Sequence, residues 1–439
     1  MSDLKPDKNT SVFLDGALPH VGDLSHAEAR RGGEIFSRKE RKNHKAGGPT
    51  SVSATIDRSG WKRVRLGDFE SHRNNTCARS LMTSDSGSVH NIHYGDILVK
   101  YDEVVSLLHH NVDCLTVEGE TNSPKDYICD GDVIIADTAE DETVGKTVEI
   151  QDVGNSKVVA GLHTFLYRPP SNMFVRGWLG YWMNSRAYHS QLFQYMTGTK
   201  VLSLTRASIA ATVIQYPSRE LQQQIVTALD SIQTQINATQ KLIAKYEAIK
   251  KATVNLLLEP KAGWKRMKLD EICMCLDNYR KPVNEVERAS MHGDIPYCGA
   301  NGIVDYVNDF TIDDSIILIA EDGGYFDQYE SRPIAYRMSG KAWINNHAHI
   351  LKAKRDYCQD FIFYSLEHKD ITPFITSGTR AKLTKGELSN IEIDTPPSFQ
   401  EQCKIAEQIT AIDNVLADYK AQLEKAQQLK AGMMSYFFG

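Results

Sequence analysis

This chain of 439 residues repeats itself, and that limits its possible folds more than any other feature. Gly60-Trp61-Lys62-Arg63-Val64-Arg65-Leu66 is answered by Gly263-Trp264-Lys265-Arg266-Met267-Lys268-Leu269. Further on, Thr197-Gly198-Thr199-Lys200 is answered by Ser377-Gly378-Thr379-Arg380. Each of these turns is followed 21 positions on by Pro217-Ser218 or Pro397-Ser398, and then by a long helical pattern. The offset is 203 between the first landmarks and 180 between the second, so the first globular segment is about 23 residues longer. Three landmarks in the same order mark a tandem duplication.

Each half closes on a sustained heptad pattern. In the first half Ile225, Leu229, Ile232, Ile236, Thr239, Ile243, Tyr246, Lys250, Thr253 and Leu257 alternate spacings of four and three. Ile405, Ile409, Ile412, Leu416, Tyr419, Leu423, Ala426, Lys430, Met433 and Phe437 do the same in the second. Such spacing lays an apolar seam along one side of a helix and favours coiled-coil pairing. Ser218 and Ser398 suit N-caps, Glu401 a capping-box partner, and Pro260 a stop for the first helix. Forty residues make a rod of about 60 Å.

Between the helices, apolar runs broken by Gly, Asp, Asn and Pro predict short strands: Gly131–Ala136 and Lys157–Tyr167 in the first half, Ser315–Ala320 and Ala348–Ala353 in the second. Trp178–Phe193 and Tyr357–Glu367 read as helices near the end of each segment. The fold class is mixed α/β. Its expected parts are a polar extension (1–59), a β-rich domain (60–216), a long helix (217–259), a second β-rich domain (260–396) and a second long helix (397–439). The extension carries the run Ser37-Arg38-Lys39-Glu40-Arg41-Lys42-Asn43-His44-Lys45, which reads as a solvated tail.

No run of about 18–20 apolar residues is present to cross a bilayer. The eight scattered cysteines suit reduced thiols, so a cytoplasmic location is expected. Net charge is −6, whereas a lone DNA binder usually has a basic face. Partner subunits that supply phosphate contacts would accommodate that balance.

Several motifs resemble the specificity (S) subunits of type I restriction–modification systems. They are the Gly-Trp-Lys starts, Cys298-Gly299-Ala300-Asn301-Gly302-Ile303-Val304-Asp305-Tyr306, Ile317-Leu318-Ile319-Ala320-Glu321-Asp322-Gly323-Gly324 and Trp343-Ile344-Asn345-Asn346-His347-Ala348-His349-Ile350-Leu351. The resemblance covers residues 60–439 and is more specific in the second half. It implies two target-recognition domains separated by an antiparallel helical pair in a pseudo-twofold repeat, reading the two halves of a split double-stranded DNA site. A half-site separation of roughly one helical turn, about 34–36 Å, up to half as much again would follow. It also implies partner methyltransferase (M) subunits and a motor–nuclease (R) subunit. S-adenosylmethionine, ATP and Mg would then be held by those partners, with no cofactor on this chain.

DNA-contact candidates lie in matching turns: Lys200 and Arg206 in the first half, Arg380, Lys382 and Lys385 in the second. A Gly-Thr turn followed by cations offers both N–H groups and charge to phosphates. Two further loops carry groove-reading residue types: Arg73, Asn74, Asn75 and Arg79, and Asn278, Tyr279, Arg280 and Lys281. The enzymatic alternatives are poorer. Cys273-Met274-Cys275 lacks a second pair at zinc spacing. His347-Ala348-His349 would share a strand face and reads as a packed or hydrogen-bonded element. Glu321-Asp322-Gly323-Gly324 lacks the Lys-Ser/Thr ending of a phosphate loop. Asp394-Thr395-Pro396-Pro397 has the wrong order for the methyltransferase Asp/Asn-Pro-Pro-aromatic element. The expected role is therefore recognition without catalysis and without a bound metal. The alternative is a coiled-coil scaffold that binds protein without DNA specificity.

Overall fold

The Gly-Trp-Lys landmarks recur because each opens a short ribbon that ties the start of a globular segment to its end. Strand Lys62–Arg65 pairs antiparallel with Val213–Tyr216, and Lys265–Lys268 pairs with Glu392–Thr395. The next N–H groups continue the ties, from Leu66 to Thr212 O (3.0 Å) and from Leu269 to Ile391 O (2.9 Å). The tryptophans pack behind the ribbons, Trp61 at 5.5 Å from Trp178 and Trp264 at 6.0 Å from Phe361. The computed structural model describes residues 56–84, 87–116, 126–376 and 381–439. The chain divides into two compact units. One runs up to Ile232 and includes Lys430–Gly439, and the other is Gln233–Leu429.

In the first unit a five-stranded sheet has the order Glu70–His72, Thr164–Arg168, Val133–Ala136, Thr147–Gln151, Val104–Ser106. A four-stranded sheet follows the order Lys157–Ala160, Val89–Ile92, Cys114–Leu115, Met82–Thr83. The central strand Val133–Ala136 is fully buried because both its faces are covered. Ile134 and Ala136 meet Ile92, Val158 and Ala160 of the second sheet. Val133 and Ile135 face Trp178, Trp182, Tyr188 and the long helix at Ile225 and Leu229. A strand covered on both sides reads as a continuous apolar run, because side chains alternate between two dry faces.

The second unit repeats this plan. Its sheets have the orders Cys273–Cys275, Ala348–Ala353, Ile316–Ala320, Ala335–Met338 and Gly302–Val307, His292–Gly299, Lys341–Ile344, Ile312–Asp313. Ile316, Leu318 and Ile350 face Cys298, Ala342 and Ile344, while Ile317, Ile319 and Leu351 face Phe361, Ile362, Ile405 and Ile409. In both units the second-named sheet includes one parallel pair, Lys157–Ala160 with Val89–Ile92 and Tyr297–Cys298 with Trp343–Ile344. Within the first unit's added length, Tyr94–Val99 forms a helix and Val104–Ser106 an edge strand.

Two expected elements are interrupted. The run Lys157–Tyr167 is two strands in different sheets, separated at Gly161-Leu162-His163, where His163 takes φ 55°. The helix expected over Trp178–Phe193 breaks into Trp178–Met183, Arg186–His189 and a 3-10 turn at Phe193–Tyr195. At the break the Asn184 amide donates to Thr147 O and Gly180 O (2.7 Å each), and Ser185 caps the next turn through Tyr188 N–H. Side-chain competition for backbone groups ends a helix in this way.

The long helices are Arg219–Leu258 and Phe399–Phe438, each 40 residues. Ser218 and Ser398 hydroxyls accept from Leu221 and Glu401 N–H (3.4 Å each). Buried Gln222 and Gln402 fasten each helix start to its own unit. Their Oε1 atoms accept from Val175 and Cys358 N–H (2.9 Å each), and their amides donate to Pro217 and Pro396 O. Among seam positions Ile225, Leu229, Ile232, Ile236, Ile405, Ile409 and Leu416 are buried, and Ile243, Ile412 and Leu423 half-buried. In the second unit Tyr246 lies 5.5 Å from Tyr419, Glu247 pairs Lys420 (3.0 Å) and Lys250 pairs Asp413 (2.9 Å). From residues 246–247 to residue 250 the partners drop from 419–420 to 413, so the helices run antiparallel there. In the first unit Ile225 and Leu229 share a cluster with Phe437 and Phe438. Among the described residues no helix is long and apolar enough to cross a membrane.

Candidate nucleic-acid interface

The loops carrying the candidate residues converge on one end of each unit, and backbone hydrogen bonds fix them there. The residue after each central strand, Asp137 or Glu321, donates its N–H to the carbonyl of the residue before the neighbouring strand, His163 (3.1 Å) or His347 (2.8 Å). A hairpin turn docks on the same strand end. Thr197 and Ser203 exchange N–H···O bonds, as do Thr376 and Lys382; then Leu204 and Leu383 donate to Asp137 O and Glu321 O (2.8 Å each). The loops after the first sheet strand reach the same place. Asn75 donates to Ala160 O (2.8 Å), and Lys281 donates to Ile344 O at the end of the matching strand (2.9 Å).

In the first unit Arg73 and Lys200 are exposed. The Asn74 amide donates to Gly161 O (3.3 Å), and buried Asn75 bonds Asn91 (2.7 Å). Arg79 stands 2.7 Å from Asp96 and 3.7 Å from Asp113. Arg206 donates to the Ser71 hydroxyl and lies 4.7 Å over the Phe165 ring. Arg79 and Arg206 thus spend their charge and stacking faces within the unit. Gly198 has φ 124°, and a Cβ there would overlap the Val201 carbonyl, so the Lys200 turn depends on glycine.

In the second unit Asn278, Tyr279, Lys281 and Lys385 are exposed. Lys281 stands 5.0 Å over the Trp343 ring, and Lys385 opens a helix capped by Thr384. Arg280 is largely covered, 3.2 Å from Asp277 and bonded to Glu321, while Lys382 reaches Glu321 at 2.6 Å. Arg380 lies outside the described residues.

These ion pairs surround His349, which is 1% exposed. The two histidines of His347-Ala348-His349 do not share a strand face. His347 precedes the strand and bonds Asp322 (2.7 Å), whereas His349 points inward, bonding Asp277 through Nδ1 (2.7 Å) and Leu383 O through Nε2 (2.8 Å). Burial alone would lower the His349 pKa, but Asp277, Cys275 and the Leu383 carbonyl outweigh it and raise it to about 9. Asp277 and Glu321 are held below the ordinary carboxylate range, since their cationic neighbours outweigh the opposing effect of burial. Cys275, Asp277 and His349 bring ligand atoms within 4.8 Å of one another. With both imidazole nitrogens engaged and the Arg280 guanidinium against Asp277, the group fits an imidazolium–carboxylate lock better than a metal cage.

Sequence reasoning passed over His163 and Tyr94, whose rings meet edge-on at 5.3 Å in the first unit, and Tyr325 in the second. In the second unit Gly299, Asn301, Val304, Asp322, Tyr325 and His347 line a cleft of about 410 Å³. The His-Ala-His motif already pointed at His347; His163 carried no comparable signal.

Comparison with known proteins agrees with this architecture. Residues 261–428 match the model of the type I restriction modification DNA specificity domain. A Haemophilus influenzae protein named as a type I restriction enzyme specificity subunit is 40% identical over 159 residues, 36% of this chain. The chain matches 40% of that relative's length. The crystal structure of the type I restriction–modification S subunit from M. genitalium superposes with a TM-score of 0.61 at 13% identity, covering 88% of this chain and 98% of that one. That likeness shows the shared fold, which extends through both units. The family likeness at the level of sequence therefore rests on residues 261–428, which lie within the second unit.

Proposed function

We propose that the chain is the sequence-reading subunit of a type I restriction–modification assembly, each unit reading one half of a bipartite double-stranded DNA site. The observation that carries this reading is the matched loop end of the two units. The same five backbone ties present exposed Arg73 and Lys200 in one, and Asn278, Tyr279, Lys281 and Lys385 in the other. Paired tips on a duplicated chain suit two half-sites, as protein twofold symmetry suits a palindrome. Phosphate contacts from Lys200, Lys281 and Lys385 would position the duplex, and side chains reaching base edges would specify it. In this role the chain supplies recognition only. Methyltransferase subunits would bring S-adenosylmethionine, and a motor–nuclease subunit ATP and Mg. The net charge of −6 makes affinity depend on those partners for further phosphate neutralisation.

Gel shifts of the chain assembled with its methyltransferase subunits test the reading. Sequence-specific retention of duplex DNA is expected. Absence of DNA binding in every assembly would remove it in favour of a protein-binding scaffold.

A further inference from the structure

An imidazole held by a carboxylate stands at the same topological position in both units. His163 Nδ1 is 3.2 Å from Asp137 Oδ1, and His347 Nδ1 is 2.7 Å from Asp322 Oδ1. The histidines occupy equivalent sites, each one residue before the strand that flanks the central strand. Their side chains are 48% and 41% exposed, whereas Asp137 and Asp322 are 18% and 17% exposed. His163 also holds φ 55°, a left-handed conformation that is uncommon outside glycine and that clusters at functional sites. Tyr94 packs edge-on against its ring, and His347 lines the cleft with Asn301 and Tyr325.

The carboxylate sets the chemistry of the outward face. In the neutral imidazole, a carboxylate that accepts Nδ1–H selects the tautomer whose other ring nitrogen carries a lone pair. Among the described residues neither Nε2 has a hydrogen-bond partner. An outward acceptor matches the exocyclic amines that adenine (N6) and cytosine (N4) present in the major groove. Guanine O6 and N7 and thymine O4 are themselves acceptors and would be refused. We infer that His163 and His347 are specificity-determining residues, each accepting a hydrogen from the amino group of an adenine or cytosine in its own half-site. This rests on the DNA-reading role proposed above.

The test is selection of bound duplexes from a randomised pool by the full chain assembled with its methyltransferase subunits, comparing wild type, His163→Gly and His347→Ala. Glycine at 163 retains the left-handed backbone. Each variant is expected to relax one adenine or cytosine position in one half-site, by roughly 5- to 150-fold in discrimination, and to leave the other half intact. His347→Arg should move its position toward guanine. A motif unchanged in both variants overturns the assignment. So does a salt slope that falls by about one with no motif change, the signature of a phosphate contact. Loss of all binding by a variant that melts like wild type also overturns it. Should a variant fail to fold, wild-type protein is titrated with its selected duplex carrying purine for adenine, or 2-pyrimidinone for cytosine, one position at a time. Affinity lost at one such position per half-site supports the inference, and affinity unaffected at all of them overturns it. A wild-type pool yielding no motif would overturn the DNA-reading role itself, an outcome distinct from a motif that the variants leave unmoved.

Discussion

At the scale of single residues, the second unit invests an unusual share of its charge in one lock. Asp277, Arg280, Glu321, Lys382 and buried His349 pair with one another beneath the loops that face outward. Because the folded His349 pKa of about 9 lies above its unfolded value near 6.5, its contribution to stability is complete below about pH 6.5 and is lost as pH rises through 9. The melting-temperature gap between wild type and His349→Gln should therefore narrow between pH 6.5 and 9.5; a constant gap would refute the imidazolium. In the first unit, Gly198→Ala forces a left-handed turn onto a side chain that overlaps the Val201 carbonyl. It should cost about 1–3 kcal/mol and weaken DNA binding with little change of motif, as measured by denaturant unfolding and gel shift. Arg79, Arg206, Arg280 and Lys382 were legible as loop cations, but their partners Asp96, Ser71, Asp277 and Glu321 are brought to them only by the fold.

At the scale of elements, the duplication extends to individual polar contacts. Gln222 and Gln402, 180 positions apart, make the same two bonds at the start of each long helix. Replacing Gln402 by Leu strands the Cys358 N–H in a dry site and should cost about 1–3 kcal/mol in unfolding free energy. Lys250 and Lys430, at equivalent heptad positions, interrupt the seam. Lys250 meets Glu367 and Asp413, 5.7 Å from the Tyr364 ring; Lys430 meets Glu103 at 2.6 Å, 5.9 Å from the Tyr181 ring. Lys250→Met should destabilise by about 2–4 kcal/mol, because it leaves two partly buried carboxylates facing each other. Adding Glu367→Gln and Asp413→Asn should restore most of the loss in equilibrium denaturation. A loss that the triple variant keeps would mean the lysine acts through packing alone. The heptads were legible because a seam needs only period and polarity. The break after Met183 was not, since it depends on Asn184 reaching Thr147, 37 residues away in sequence.

At the scale of the molecule, the two-headed reading predicts modular specificity. Exchanging residues 60–216 for the matching segment of a relative should change one half-site and leave the other, as read by methylation mapping of DNA from cells carrying the chimera. Changes in both halves would refute independent heads. The repeat itself was decided by sequence, because landmarks such as Gly60-Trp61-Lys62 and the heptads are local patterns that survive without knowledge of contacts. Local pattern also set the mixed α/β class and the long helices Arg219–Leu258 and Phe399–Phe438. Tertiary structure alone showed that the first segment, matched to the second only at its edges, builds the same pair of sheets around Val133–Ala136. It alone placed His163 beside Asp137, and His347 beside Asp322. Such pairings bridge strand ends some 25 residues apart, and the chain closes that distance only through sheet register, which the hydrophobic pattern constrains but does not spell out.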